Sequence, residues 1–96
     1  MKYRKSILVK NFDECFICHR PAEAVHHVYE GNGRRQISER EGFIIPLCNV
    51  HHNMSPHSVH FDKKLDLGIK QYCQREYEKN HTRDEFIKIV GRNYLD

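Results

Sequence analysis

The sequence contains no tryptophan and no hydrophobic run long enough to cross a membrane. A membrane-spanning helix needs about 20 consecutive apolar residues. The apolar stretch behind the basic N-terminus, residues 7–9, is also shorter than the core of a signal peptide, which needs about 7–15. Repeats and low-complexity segments are absent as well. We therefore expect no membrane contact, a cytoplasmic location and a single domain over residues 1–96.

A chain this short also lacks the material for a large core. Small domains bury a lower fraction of their surface than large ones, and they often depend on a disulfide, a metal or a partner for stability. This sequence has 4 cysteines and 8 histidines, and six of the histidines lie between His26 and His60. In a reducing compartment, a Cys-x-x-Cys pair near histidines indicates a metal site rather than disulfides. The composition therefore predicts a metal-stabilised protein.

Three segments of the chain differ in composition. Residues 1–14 form a basic arm, residues 15–61 hold most cysteines and histidines among glycines and prolines, and residues 62–96 are charged with a helical period. Stretches rich in β-forming residues at 24–29 and 43–48 predict two strands. These strands and the C-terminal helices together predict the α+β fold class.

Local sequence features place the remaining elements. Between the strands we expect a loop over residues 31–35 and then one helical turn over 38–41. Residues 49–54 predict a short helix. Asp62 is the expected N-cap of a longer helix, and the capping box that starts at Thr82 predicts a final one.

Two pairs of metal-binding residues suit one structural zinc ion. A Cys-x-x-Cys pair is followed about thirty residues later by a Cys-x-x-His pair, and each pair can present both side chains from a tight turn. Four nitrogen and sulfur ligands make a closed tetrahedral site, which supplies folding free energy to a small core. The expected ligands are Cys15, Cys18, Cys48 and His51. His19 is the alternative fourth ligand, and Cys73 is expected in the core.

Further histidines remain after that site is filled. His26 and His27 are neighbours on a predicted strand, so their side chains point to opposite faces. Together with His52, His57 and His60 they offer the three ligands of a second ion that keeps an open coordination position, which is the catalytic type of site. A divalent ion there can polarise a phosphodiester, and a neutral histidine nearby can deprotonate the attacking water.

Basic residues suit a partner that carries phosphates. Arg34 and Arg35 follow the glycines between the strands and can grip phosphates through bidentate bonds, and Arg34 is included in the expected catalytic group. Lys2, Arg4 and Lys5 add positive charge in the N-terminal arm. We expect these five residues to bind nucleic acid, and a solvated basic surface is the alternative.

From about residue 15 to residue 60 the sequence resembles the HNH nucleases, the ββα-metal or His-Me finger family. Members carry a zinc-binding Cys-x-x-Cys before the first strand and a second pair before the helix, and both pairs have counterparts here. The resemblance implies a treble-clef-like ββα-metal core stapled by zinc, with residues 62–96 as a helical extension.

The resemblance also assigns roles to the histidines. The family's first strand ends in a pair of which the first residue is a metal ligand and the second is the general base, which implies His26 as ligand and His27 as base. His52 matches a ligand from the family's helix. His60 is the preferred match for the third ligand, with His57 as the other candidate. The family's middle asparagine has no clear match, and Asn32 is the nearest residue.

The implied function is that of a metal-dependent DNA endonuclease or nickase. Its cofactors would be a structural Zn²⁺ and a catalytic Mg²⁺, Mn²⁺, Ni²⁺ or Zn²⁺. The similarity to small phage proteins, including recombinase-dependent nucleases, implies DNA and a recombinase or another phage or host DNA-processing protein as partners, in the host cytoplasm. One alternative is a non-catalytic zinc-stabilised module that binds DNA or protein. Another is a structural or inhibitory phage protein with a degenerate nuclease core.

Overall fold

Two short strands and four helices follow one another along residues 5–31, 33–56 and 58–95, which the computed structural model describes. The order is β1 (Ala24–His27), α1 (Arg34–Glu41), β2 (Ile44–Leu47), α2 (Asn49–His52), α3 (Lys63–Glu78) and α4 (Arg83–Val90). This is the α+β class that the sequence predicts. Among the described residues, no helix is both long and apolar enough to cross a membrane.

The two strands form an antiparallel hairpin whose register places His26 opposite Ile45 and His27 opposite Ile44. Both strands are shorter than predicted. β1 ends at His27, although the next residue still donates its backbone N–H to the Phe43 carbonyl at 2.9 Å. Every residue of β2 is buried, so its apolar run belongs to the core on both faces of the sheet.

Helix α1 differs from the prediction. A loop was expected at residues 31–35, but the helix begins at Arg34 and runs for two full turns to Glu41. Its start has no side-chain cap, and Gly33 adopts a left-handed conformation with φ 85°. Tertiary contacts hold the helix instead: buried Ser38 donates from Oγ to the Tyr29 carbonyl at 2.7 Å and accepts from the Tyr29 N–H at 3.1 Å. The composition of the segment gives no indication of these tertiary contacts, so it does not predict where the helix begins.

The predicted caps of the C-terminal helices are confirmed. The Asp62 carboxylate accepts hydrogen bonds from two backbone N–H groups at the start of α3. The Thr82 hydroxyl and the Glu85 carboxylate complete a reciprocal capping box at α4, and Gly91 ends that helix with φ 91°. Helix α2 is shorter than predicted and ends at His52.

The C-terminal helices complete the core rather than lying beside it. Aromatic rings from all parts of the chain meet there, and the Tyr29 ring packs edge-on against those of Phe43 and Phe86 at 5.4 and 5.5 Å. Cys73 on α3 is fully buried in the same cluster, as predicted. The α3–α4 region is therefore an integral part of the domain, since the small sheet alone could not bury this surface.

The described part of the N-terminal segment packs against the turn between α1 and β2. Ile7 donates its N–H to the Gly42 carbonyl at 2.9 Å, and the Ser6 hydroxyl donates to the Ile44 carbonyl at 2.6 Å. A Cβ at Gly42 would lie 3.0 Å from the Lys5 carbonyl oxygen, so the close approach requires glycine. The segment therefore belongs to the body of the domain from Lys5 onward.

Candidate functional site

The Cys-x-x-Cys and Cys-x-x-His pairs converge beside the hairpin. The first pair lies in the turn before β1, and the second lies at the N-terminus of α2. The ligand atoms of Cys15, Cys18, Cys48 and His51 all lie within 4.8 Å of one another. The Glu23 carboxylate accepts from the backbone N–H and the side-chain amide of Asn49, both at 3.0 Å, and so anchors the start of α2.

The separations in this Cys₃His cluster fit one tetrahedral ion. Coordination at about 2.3 Å for sulfur and 2.0–2.1 Å for nitrogen requires S–S separations of about 3.8 Å and S–N separations of about 3.5 Å. The Sγ atoms of Cys18 and Cys48 lie 3.7 Å apart. The His51 Nδ1 atom lies 3.3 Å from Cys48 Sγ and 3.7 Å from Cys15 Sγ. The cluster could therefore hold a metal ion such as zinc.

The chemical state of the Cys15 thiol supports the same conclusion. Burial tends to raise the pKa of the Cys15 thiol, but hydrogen bonds from the backbone of Cys18, Cys48 and Ile17 outweigh it and lower that pKa to about 6. A thiolate is the form that binds metals. Cys73 is the opposite case, because burial raises the pKa of its thiol to about 12.

His19 does not belong to this cluster. Its side chain is 76% exposed, and its Nδ1 atom lies 3.6 Å from the Glu14 carboxylate. Its backbone has φ 65°, a left-handed conformation that follows from the tight turn after the Cys-x-x-Cys pair. The structure therefore places His51 in the cluster, and it does not place the alternative ligand His19 there.

A second cluster contains His26, His52 and His60. Their nearest ring nitrogens lie within 4.8 Å of one another, and the Nε2 atoms of His52 and His60 are 3.4 Å apart. A tetrahedral ion at 2.0–2.1 Å from each nitrogen requires about 3.3–3.4 Å. The burial decreases across the cluster, from buried His26 to exposed His60. The three histidines could therefore hold a metal ion, with one side of the cluster open to solvent.

Three separate elements supply these histidines. His26 comes from β1, and His52 ends the short helix α2, where its N–H donates to the Cys48 carbonyl at 2.9 Å. His60 follows a turn that folds back on α2, because the N–H of buried Val59 donates to the His51 carbonyl at 2.8 Å. The cluster therefore depends on the position of α2, which also carries two ligands of the first cluster.

His26 has an unusual environment. Its Nε2 atom is buried and has no hydrogen-bond partner among the described residues. Such an orphaned polar atom is costly to bury unless a ligand satisfies it. Burial first, and then the neighbouring charges of His52 and His60, lower the pKa of His26 to about 3. The ring is thus neutral and offers a lone pair, as a metal ligand must.

His52 resembles His26 in its lowered pKa. A carboxylate also lies beside the Nδ1 atom of His26. Burial and the charge of His60 lower the pKa of His52. The Glu30 carboxylate lies 3.6 Å from Nδ1 of His26. A carboxylate on that side favours the tautomer with its proton on Nδ1, which leaves the lone pair on Nε2.

His27 leaves β1 on the other side, toward α1. Its Nε2 atom lies 3.2 Å from Oε1 of Glu39, and its side chain is 16% exposed. It is close enough to the second cluster for its charge to contribute to the lowered pKa of His26. Glu39 was not singled out from the sequence. The only feature of the sequence that could have identified Glu39 is the helical pattern of α1, because a helix there can pack against β1.

The residues expected to bind nucleic acid have different surroundings in the structure. Arg34 donates from Nε to the Val90 carbonyl at 3.0 Å and so braces α1 against α4. Arg35 is exposed, with its guanidinium 3.9 Å from the Glu30 carboxylate, and Lys5 is exposed as well. The residues of the prediction that lie outside the described part of the chain are Lys2, Arg4, Asn32 and His57.

Comparison of the chain with protein-family models, curated proteins and solved structures finds no match in any of the three.

Proposed function

We propose that this protein is a metal-dependent endonuclease or nickase of the HNH type that hydrolyses DNA phosphodiester bonds. The observation that carries the proposal is the buried ring of His26, which lies with two further histidines in a cluster open to solvent and whose Nε2 atom has no hydrogen-bond partner among the described residues. A protein stabilised by a structural zinc alone does not need a second group of three histidines. A histidine that served only in the core would have a hydrogen-bond partner for its buried ring nitrogen.

His26, His52 and His60 would hold the catalytic ion, while the Cys₃His cluster would hold a zinc ion that keeps α2 in place. A divalent ion in the first of these sites would polarise the phosphodiester and stabilise the charge on the leaving oxygen.

His27 is the proposed general base. Its side chain is partly exposed and follows His26 directly on β1, and an imidazole can accept a proton from water. The water oxygen forms the new bond to phosphorus, the bond between phosphorus and the leaving oxygen breaks, and the proton of the water passes to His27. Exposed Arg35 and Lys5 would contact flanking phosphates.

Metal content is the first test. Elemental analysis of the purified protein should find one firmly held zinc per chain, and calorimetric titration with Mn²⁺ or Ni²⁺ should detect one further site. His26→Ala should abolish the second site and retain the zinc. A protein that holds one zinc and binds no second ion would favour the non-catalytic zinc-stabilised module that binds DNA or protein.

Cleavage is the second test. Protein loaded with zinc and supplied with Mg²⁺, Mn²⁺, Ni²⁺ or additional Zn²⁺ should nick or cut plasmid DNA, and His27→Ala should lower the rate by at least the ~10²-fold typical of a general base. His81→Ala is the matched control, because that ring stacks on Tyr77 at 4.1 Å and lies in neither cluster. Undiminished cleavage by His27→Ala would refute the assigned mechanism.

A further inference from the structure

We propose that Glu39 is a positioning residue for His27, which it holds in the tautomer whose Nδ1 atom is free to accept a proton. This inference rests on the proposed function, since it concerns the proposed general base. It is carried by the 3.2 Å contact between Glu39 Oε1 and His27 Nε2.

The carboxylate is held in place by the fold. Glu39 lies on α1 next to buried Ser38, whose hydroxyl makes two hydrogen bonds to the backbone of Tyr29 just beyond β1. Arg34 ties the start of the same helix to the end of α4. Helix α1 is therefore held by Ser38 against the backbone that follows β1 and by Arg34 against α4, and these tertiary contacts place the backbone of Glu39 near His27.

The chemistry of the contact determines the tautomer. An ionised carboxylate can only accept hydrogen bonds, and a neutral imidazole carries one donor nitrogen and one acceptor nitrogen. With Glu39 at Nε2, the proton of His27 lies on Nε2 and the lone pair lies on Nδ1. A carboxylate in this position also stabilises the imidazolium that forms when the base accepts a proton.

The two neighbouring histidines of β1 each have a carboxylate near one ring nitrogen, and the nitrogen differs between them. The Glu30 carboxylate lies beside Nδ1 of His26 and leaves Nε2 free, whereas Glu39 lies beside Nε2 of His27 and leaves Nδ1 free. One carboxylate thus prepares a metal ligand, and the other prepares a base. The strand geometry, which sends adjacent side chains to opposite faces, allows each histidine its own carboxylate.

The first test needs no activity. In ¹⁵N spectra of the zinc-loaded protein, recorded above the pH range where histidines ordinarily titrate, the His27 ring should show only the tautomer protonated at Nε2. Glu39→Gln should produce a mixture, because an amide can donate to the ring as well as accept from it. Glu41→Gln, on the same helix, is the control and should leave the His27 spectrum unchanged. A wild-type ring protonated at Nδ1, or an unchanged ring in Glu39→Gln, would overturn the proposal.

The second test is a double-mutant cycle on cleavage. Glu39→Gln should lower kcat by about 10–100-fold with little change in KM, and it should cause no further loss in the His27→Ala background. A residue that only stabilised the fold would cause the same loss in both backgrounds, and that result, like full kcat in Glu39→Gln, would overturn the proposal. Absence of cleavage by folded, metal-loaded wild type would instead refute the proposed function, while the spectra still decide the tautomer.

Discussion

Replacing a single ligand of the Cys₃His cluster should unfold this protein. In Cys18→Ser the ion would lose one of the sulfur atoms that lie 3.7 Å apart across the cluster. Cys15 and Cys48, which supply two of the remaining ligands, are also members of the hydrophobic core. The loss of the ion therefore acts directly on the packing of the domain, and not on a peripheral loop.

The expected magnitude is comparable to or greater than the stability of the domain. At about 0.05–0.15 kcal/mol per residue, a chain of 96 residues has a free energy of unfolding of about 5–14 kcal/mol. Binding of a structural zinc contributes about 10–16 kcal/mol in small zinc domains at neutral pH. Without it, little or no net stability remains.

The assay combines elemental analysis with circular dichroism and amide NMR spectra. Cys18→Ser should contain less than one zinc per chain and give the poorly dispersed amide spectrum of an unfolded chain, and wild type treated with a strong chelator should do the same. Cys73→Ala is the matched control: it should keep its zinc and lose only about 0.5–3 kcal/mol, the usual range for a core substitution. A chelated wild type with native dispersion would show that the ion is not what stabilises the fold.

Three further substitutions test the packing and the caps. Thr82→Ala removes the hydroxyl half of the capping box and should lower the free energy of unfolding in urea by about 1 kcal/mol, while Thr82→Ser should retain it. Phe86→Ala, at a fully buried ring, should cost about 3–5 kcal/mol, whereas Phe61→Ala, at a ring 66% exposed, should change the midpoint of thermal unfolding little. His19→Gly should relieve the left-handed backbone and raise the free energy of unfolding by about 0.5–1 kcal/mol. Zinc content should remain the same in that variant, and a loss of zinc would mean that His19 is a ligand after all.

The elements that local sequence predicts well are those whose contacts are local. The N-cap of α3 at Asp62 and the capping box of α4 involve residues three positions apart or fewer, so their side chains satisfy neighbouring backbone groups in almost any tertiary context. Helix α1 lacks such a cap, and its start was predicted as a loop. Its contacts reach Tyr29 and Val90, the second of which lies more than fifty positions away.

The candidate site likewise has some features that the sequence predicts and others that depend on tertiary contacts. Cysteine and histidine spacing identified the members of the Cys₃His cluster, because few other roles require these residues in such pairs. For the second cluster spacing left both His57 and His60 open. The structure brings His60 to His26 and His52, and His57 lies outside the described residues. Spacing could not select the carboxylates, since Glu30 and Glu39 belong to a charged sequence in which most acidic residues are simply solvated.

The sequence by itself therefore identified the candidate ligands of the Cys₃His cluster, the α+β class and the local caps. Only the tertiary structure decided which carboxylate meets which histidine and that the Nε2 atom of His26 is buried without a partner. The physical reason is that these features depend on tertiary packing. Ligand type and capping are properties of residues close together in the sequence, whereas the contact between Glu39 and His27 forms only when α1 packs against β1, and the burial of His26 depends on the elements that cover it.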